Sequence, residues 1–282
     1  MFGGLASRDA IDDLKTLFSG LKPREDDERH GILLCMASYF NKHPEPFDIE
    51  GILIYANTSK HRRIDLIAEA VSRLIISTSD RSIGQHELIL ELLNKWLRRN
   101  EAEVIDATAQ AAFVIVQALT PEDQEREIAK WVEVVTENQR GRSGQDKGII
   151  AVLFKIFPTV LSSQQSIIAA LHKRWNIGHD IESRAAILQY LATSTAITTH
   201  IESFSDIIIE GLGDYTTNAR GDVGSLVRIE AVKCTNAIFQ SSPPNHTQTN
   251  NTLYGKTLRL AAEKLDKVRI EAQLAIAQTL TW

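Results

Sequence analysis

Val227-Arg228-Ile229-Glu230-Ala231 recurs letter for letter as Val268-Arg269-Ile270-Glu271-Ala272, 41 residues downstream. An acid precedes each copy, Asp222 and Asp266, and Arg184-Ala185-Ala186 opens a similar stretch 44 residues before Arg228. Valine and alanine four apart lie on one side of a helix, so each copy predicts a helix with an apolar stripe. The same 3.6-residue rhythm runs upstream through Leu88, Ile89, Leu92, Leu93, Trp96 and Leu97, then Val104, Ile105, Thr108, Ala111, Ala112, Ile115, Val116 and Leu119, then Ile128, Trp131, Val132 and Val135. Ser82 with Gln85 and Ser162 with Gln165 have the spacing of capping boxes. Thr120-Pro121-Glu122-Asp123 supplies a cap, a proline for the first helical position and acids for the first turn.

Turn residues at Gly20–Pro23, Pro44–Pro46, Gly141–Gly144, Gly178 and Ser241–Asn245 divide the chain into about seven helical hairpins: 7–41, 48–78, 85–119, 121–157, 163–193, 199–240 and 251–281. Phe47–Ala56 could form a short strand, but its helical neighbours favour a helix. A period of roughly 40–47 residues with two helices per unit resembles HEAT and armadillo repeats. The expected fold is all-α, a right-handed α-solenoid spanning residues 1–282 as a single body. In such a stack the acid suits the positive end of the second helix, and the arginine can pair with the acid of the next unit.

With 43% hydrophobic and 24% charged residues, the chain has the balance of a soluble globular protein with a sizeable core. A net charge of −5 argues against gripping a nucleic-acid backbone as the main task. The longest apolar run, Ile149–Phe154, is far short of the roughly 20 residues a membrane span needs. No secretory signal follows Met1, and two cysteines, Cys35 and Cys234, read as buried reduced thiols, so a cytoplasmic location without membrane insertion is expected.

Enzymatic signatures are incomplete. Tyr254-Gly255-Lys256-Thr257 ends like a phosphate-binding loop, but Asn250 stands where the first glycine belongs. His86-Glu87 begins like a zinc-protease helix and lacks the second histidine. Ser225 follows Gly224 without the glycine of a nucleophile elbow. The histidines are scattered, Glu25–Glu28 reads as a solvated first turn, and Arg220-Gly221-Asp222 has no extracellular address to make it an adhesion motif. No catalytic residue, metal or cofactor is expected.

Residues 211–225 break the apolar rhythm with an aromatic (Tyr215), turn formers (Thr216, Thr217, Asn218), a cation (Arg220) and glycines (Gly221, Gly224), ahead of Asp222 as a helix cap. This is either a long hairpin turn or a displayed binding loop. Asp214-Tyr215-Thr216-Thr217, Arg220-Gly221-Asp222-Val223-Gly224-Ser225 and Val227-Arg228 resemble the D-Y-T-T-D-x-R-G-D-V-G-S-W-V-R motif of the tubulin-folding cofactor D family, HEAT-repeat chaperones of β-tubulin. Glu263-Lys264-Leu265-Asp266-Lys267-Val268-Arg269 is similar to the family's E-K-I-D-R-x-R run, and Arg29-His30-Gly31 matches a third landmark. Asn218-Ala219 replaces the family's acid, and Leu226 stands at its tryptophan.

The resemblance implies a non-enzymatic chaperone module, an interior-to-C-terminal portion or shortened version of a longer array. It would bind β-tubulin, act with cofactors C and E and an Arf-like small GTPase, and promote GTP hydrolysis by tubulin, placing it in the cytoplasm with the cytoskeleton. Candidate partner contacts are Asp214, Tyr215, Thr216, Thr217, Arg220, Asp222, Arg228, Lys267 and Arg269. Residues 211–282 carry eight basic and six acidic residues, a mildly basic end that suits acidic tubulin. A general HEAT scaffold for an Arf-like GTPase, without tubulin contact, is the alternative.

Overall fold

A computed structural model describes residues 8–21, 25–43, 48–58, 61, 63–78, 86–137, 145–178, 180–241 and 248–279. Among them the chain is all-α apart from one two-residue hairpin. The expected seven hairpins correspond to α1 (Arg8–Gly20) with α2 (Asp26–Lys42), α3 (Glu50–Thr58) with α4 (Ile64–Thr78), and α5 (His86–Trp96) with α6 (Ala102–Gln117). Next in the chain come α7 (Pro121–Thr136) and then α8 (Lys147–Ile156), followed by α9 (Gln164–Asn176) with α10 (Ile181–Thr193). A single turn, α11 (Ala196–Thr199), precedes α12 (Ile201–Gly211) with α13 (Gly224–Ser241), and α14 (Gln248–Leu260) pairs with α15 (Asp266–Thr279). No described helix is long and apolar enough to cross a membrane.

The chain forms two compact units, Met1–Glu127 and Ile128–Trp282. In the first, α2 packs along α4 and α4 along α6, with α1, α3 and α5 as a second layer. In the second, α8, α10, α13 and α15 form one row, each packed on the next, and α9, α12 and α14 lie behind them. This is the adjacent-hairpin packing of an α-solenoid, in which a hairpin buries its stripe only against its neighbours. The duplicated pentads occupy equivalent places. Val227 and Val268, like Ala231 and Ala272, are wholly buried.

Local signals act through the expected chemistry. Thr120 Oγ1 accepts the Asp123 N–H (3.3 Å) and donates to Asp123 Oδ2 (2.9 Å), capping α7 as expected. The competing strand reading at 47–56 loses to α3, whose Leu53 and Ala56 are buried. The helix predicted to open at Ser162 begins later, with Ser163 as the residue ahead of α9. The chain makes a 3₁₀ turn over Leu161–Ser163, and Gln164, opening α9, reaches back to the Phe157 carbonyl (2.9 Å). The cap at Ser82–Gln85 and the turns at Pro44–Pro46 and Gly141–Gly144 lie outside the described residues, as do parts of those at Gly20–Pro23 and Ser241–Asn245. Cys234 is buried as expected, its Sγ donating to the Leu188 carbonyl at 3.1 Å, while Cys35 is half-buried; both are free thiols. Burial pushes the Cys234 thiol well above its ordinary range.

Candidate functional site: a braced hairpin between α12 and α13

The segment leaving α12 folds into a small antiparallel hairpin, β1 (Thr217–Asn218) and β2 (Gly221–Asp222), pairing Thr217 with Asp222 and Asn218 with Gly221. Asn218 Oδ1 accepts the Arg220 N–H (2.8 Å), an Asx-type turn that closes the tip. Gly221 takes a φ of 108°, a region that side chains other than hydrogen resist. Asp222 caps the following helix as expected: Oδ1 accepts the Ser225 N–H (3.0 Å), and Ser225 Oγ returns a bond to the Asp222 carbonyl (2.7 Å).

Beneath the hairpin lies a chain of charges. Arg228 is 0% exposed, and its guanidinium donates to the Asp214 carbonyl and to both carboxylate oxygens of Asp222 (3.2 and 2.7 Å). Asp214 is also buried; Oδ1 accepts the Thr216 N–H (3.0 Å) and Oδ2 accepts from Arg184 on α10 (3.1 Å). Burial alone would raise the Asp214 carboxyl, but hydrogen bonds from Thr216 and then Arg184, with the charge of Arg184, outweigh it and hold the group below its ordinary 3.8. Arg184 is anchored in turn by the Trp175 carbonyl (3.0 Å) and lies over the Trp175 ring (4.8 Å).

Tyr215 forms the other arm. Its ring receives the Arg228 guanidinium on one contact (4.2 Å) and that of Arg259, from α14, on another (5.7 Å). Its hydroxyl donates to Glu263 Oε2 (2.9 Å) and accepts from Arg259 (3.3 Å). Arg269 donates to the Glu263 and Lys264 carbonyls (3.0 and 3.3 Å) and pairs with Asp266. One loop thereby ties together three successive hairpins of the second unit.

The sequence-derived contact residues therefore separate into two groups. Asp214 and Arg228 lie inside, Asp222 and Arg269 are engaged in holding helix starts, and half-exposed Tyr215 clasps the next hairpin. Thr217, Arg220 and Lys267 are exposed, and Thr216 is half-buried at the hairpin's foot. The Arg220 and Lys267 side chains make no hydrogen bond or ion pair among the described residues. The expected arginine-to-next-unit pairing holds for Arg184 with Asp214, whereas Arg228 and Arg269 pair with the acids that open their own helices. Glu263, quoted above only as part of the family-like run, and Arg259 are not among the sequence-derived contacts, nor is a second buried network in which Arg174 pairs with Asp146 and Asp180 and Ser183 donates to Asp146 (2.7 Å).

Other sequence candidates take ordinary structural places. Tyr254–Thr257 lie within α14. His172 contacts the Ser203 carbonyl (2.6 Å) and stacks on Phe204. Arg29 is buried at the start of α2, bonded to the Leu21 carbonyl with its guanidinium over Tyr55 (4.7 Å). Among the described residues no group of three His, Cys, Asp or Glu could hold a metal ion.

The depressed Asp214 carboxyl makes stability pH-dependent. Its contribution is fully present above the unfolded value near 3.8 and is lost as pH falls through the lower folded value. Asp214→Asn should be less stable than the parent at pH 6. In urea titrations that gap should narrow steadily below about pH 4. A gap that stayed constant down to pH 2 would remove the carboxylate from the brace.

No known family's sequence model matches the chain, and no curated relative matches it. Among solved structures, the crystal structure of an engineered protein is similar at 14% sequence identity and a TM-score of 0.47, the alignment covering 96% of this chain and 97% of that one.

Proposed function

We propose that this chain is a non-enzymatic tubulin-binding module of the tubulin-folding cofactor D type. It captures β-tubulin in the cytoplasm and works with cofactors C and E and an Arf-like GTPase on assembly and disassembly of the αβ dimer. The observation that carries the reading is the family-like stretch 214–228. Its buried members form a rigid brace, and that brace presents the tip Thr217–Gly221 to solvent. Such a division suits recognition, because a displayed loop binds with less ordering cost when its base is fixed. The two departures from the family pattern are compatible with it: Asn218 closes the turn through its own Oδ1, and Leu226 presents an exposed apolar side chain at the tryptophan position.

Co-elution with purified αβ-tubulin tests the proposal. The intact chain should form a complex, and Thr217→Ala/Arg220→Ala should weaken it about tenfold with unchanged melting, since neither side chain supports the fold. Tyr215 is unsuitable as a probe of contact, because truncating it also unfastens α14. Retention of a GTP-loaded Arf-like protein together with failure to retain tubulin would overturn the reading in favour of a GTPase scaffold.

A further inference from the structure

Helices α13 and α15 run side by side and parallel. Tyr215, ahead of α13, meets Glu263, ahead of α15, while Gln240 and Gln278 join near their other ends (2.7 Å). The buried stripe of α15 runs through Val268, Ala272, Ala275 and Ile276. Opposite it stands a second apolar stripe, Ile270 and Leu274, four residues apart and 53% and 55% exposed. The neighbouring helix adds Leu226, 50% exposed, and half-buried Ile229, the repeat equivalent of Ile270. The Gln240–Gln278 bond shows that these outer faces adjoin: Leu274 lies one turn from Gln278, and Ile229 about three turns from Gln240.

Charge distinguishes the two ends of this face. Lys267 is on the same side of α15 as Ile270 and Leu274, and Lys264 lies in the turn just before the helix. Both are exposed, and neither side chain makes an ion pair or hydrogen bond among the described residues. The acids at that end, Asp222 and Asp266, are paired with Arg228 and Arg269, whereas the two lysines have no such partner among the described residues. Beyond Ile229 the exposed Lys233 is paired with Glu230 (2.8 Å), and the rim at Gln240 and Gln278 is uncharged. A surface with a cationic end and an apolar run is complementary to an amphipathic segment that is acidic at one end.

We propose that the outer face of α13 and α15 is a docking site for an acidic amphipathic helix of a partner protein. Its apolar side chains lie across Leu226, Ile270 and Leu274, and its acidic first turn sits beside Lys264 and Lys267. This goes beyond the tubulin reading and does not depend on it: the face shares Leu226 and Lys267 with the family-like segments but uses neither the hairpin tip Thr217–Gly221 nor the brace.

The test uses the full chain and a fluorescein-labelled synthetic amphipathic helix of roughly four turns with glutamates in its first turn, beside a twin with lysines there. Fluorescence anisotropy should show saturable binding of the glutamate peptide and at least about tenfold weaker binding of its twin. Ile270→Ser/Leu274→Ser should reduce binding of the glutamate peptide about tenfold. Lys267→Glu should weaken the glutamate peptide and strengthen the lysine one, a reversal that loss of folding cannot imitate. Equal binding of the two peptides, or no effect of the face substitutions, would overturn the proposal. So would concentration-dependent dimerisation in ultracentrifugation that Leu274→Ser abolishes, since the occupant would then be a second copy of the chain.

Discussion

Arg228→Met should destabilise the second unit by about 3–5 kcal/mol, as expected when one partner of a buried ion pair is removed. Methionine approximates the length and apolar stem of arginine, so the core around α13 stays filled. The loss is electrostatic. The Asp222 carboxylate is left beside an apolar side chain, and the Asp214 carbonyl loses its donor. At roughly 2–4 °C per kcal/mol for a unit of this size, melting should fall by about 10 °C. Arg269→Met is the internal control. It occupies the equivalent place in the duplicated pentad, yet Arg269 is only half-buried and Asp266 is exposed, so a cost near 1 kcal/mol is expected. Arg228→Met/Asp222→Asn should recover part of the loss, because the second change removes the stranded charge. A single-mutant cost below about 1 kcal/mol would show that the guanidinium does not hold the loop.

The difference between these arginines also marks how far the sequence can be read. Helices are legible where buried residues recur at helical spacing, as Val227, Ala231 and Cys234 do on α13 and Val268, Ala272 and Ala275 on α15, and the duplicated pentad gives the register of these two. Failures are local. The 3₁₀ turn ahead of α9 makes Ser163 rather than Ser162 the residue before the helix, and the single turn α11 is too short to leave a period. The loop is equally legible as a break in rhythm, but its inside and outside are not. Asp214 and Arg228 look like displayed charges until Arg184 is brought 30 residues along the chain to meet Asp214. Tyr215 looks like an exposed aromatic until Glu263, 48 residues on, receives its hydroxyl. Such contacts depend on how hairpins stack, which spacing within one hairpin does not encode. One signal was available: Arg184 aligns with Arg228 in the repeat, and an arginine recurring there at two steps suggests a common buried task rather than a surface contact.

Gly224→Ala should destabilise the same unit by about 3 kcal/mol, towards the upper end for overpacking. A Cβ at this position would stand 2.4 Å from the Asp214 carbonyl oxygen, 2.6 Å from its Oδ1 and 2.7 Å from the Thr216 nitrogen. Two of those three atoms are backbone, and the third is fixed by the Thr216 N–H, so no flexible side chain can swing aside. Relief requires moving the whole loop away from α13. That movement breaks the bond from Gly224 N–H to the Thr216 carbonyl (2.9 Å) and draws the Asp214 carbonyl from Arg228. The matched control is Gly255→Ala in the middle of α14, where a Cβ meets nothing within 4 Å. There the lower backbone entropy of alanine in the unfolded chain should stabilise by roughly 0.5–1 kcal/mol. Opposite signs for two glycine-to-alanine changes, read as urea midpoints at constant m-value, would identify close approach as the reason for glycine at 224. If both variants gained stability, the loop could not be packed against the start of α13 as described, and the brace beneath the displayed tip would have to be abandoned.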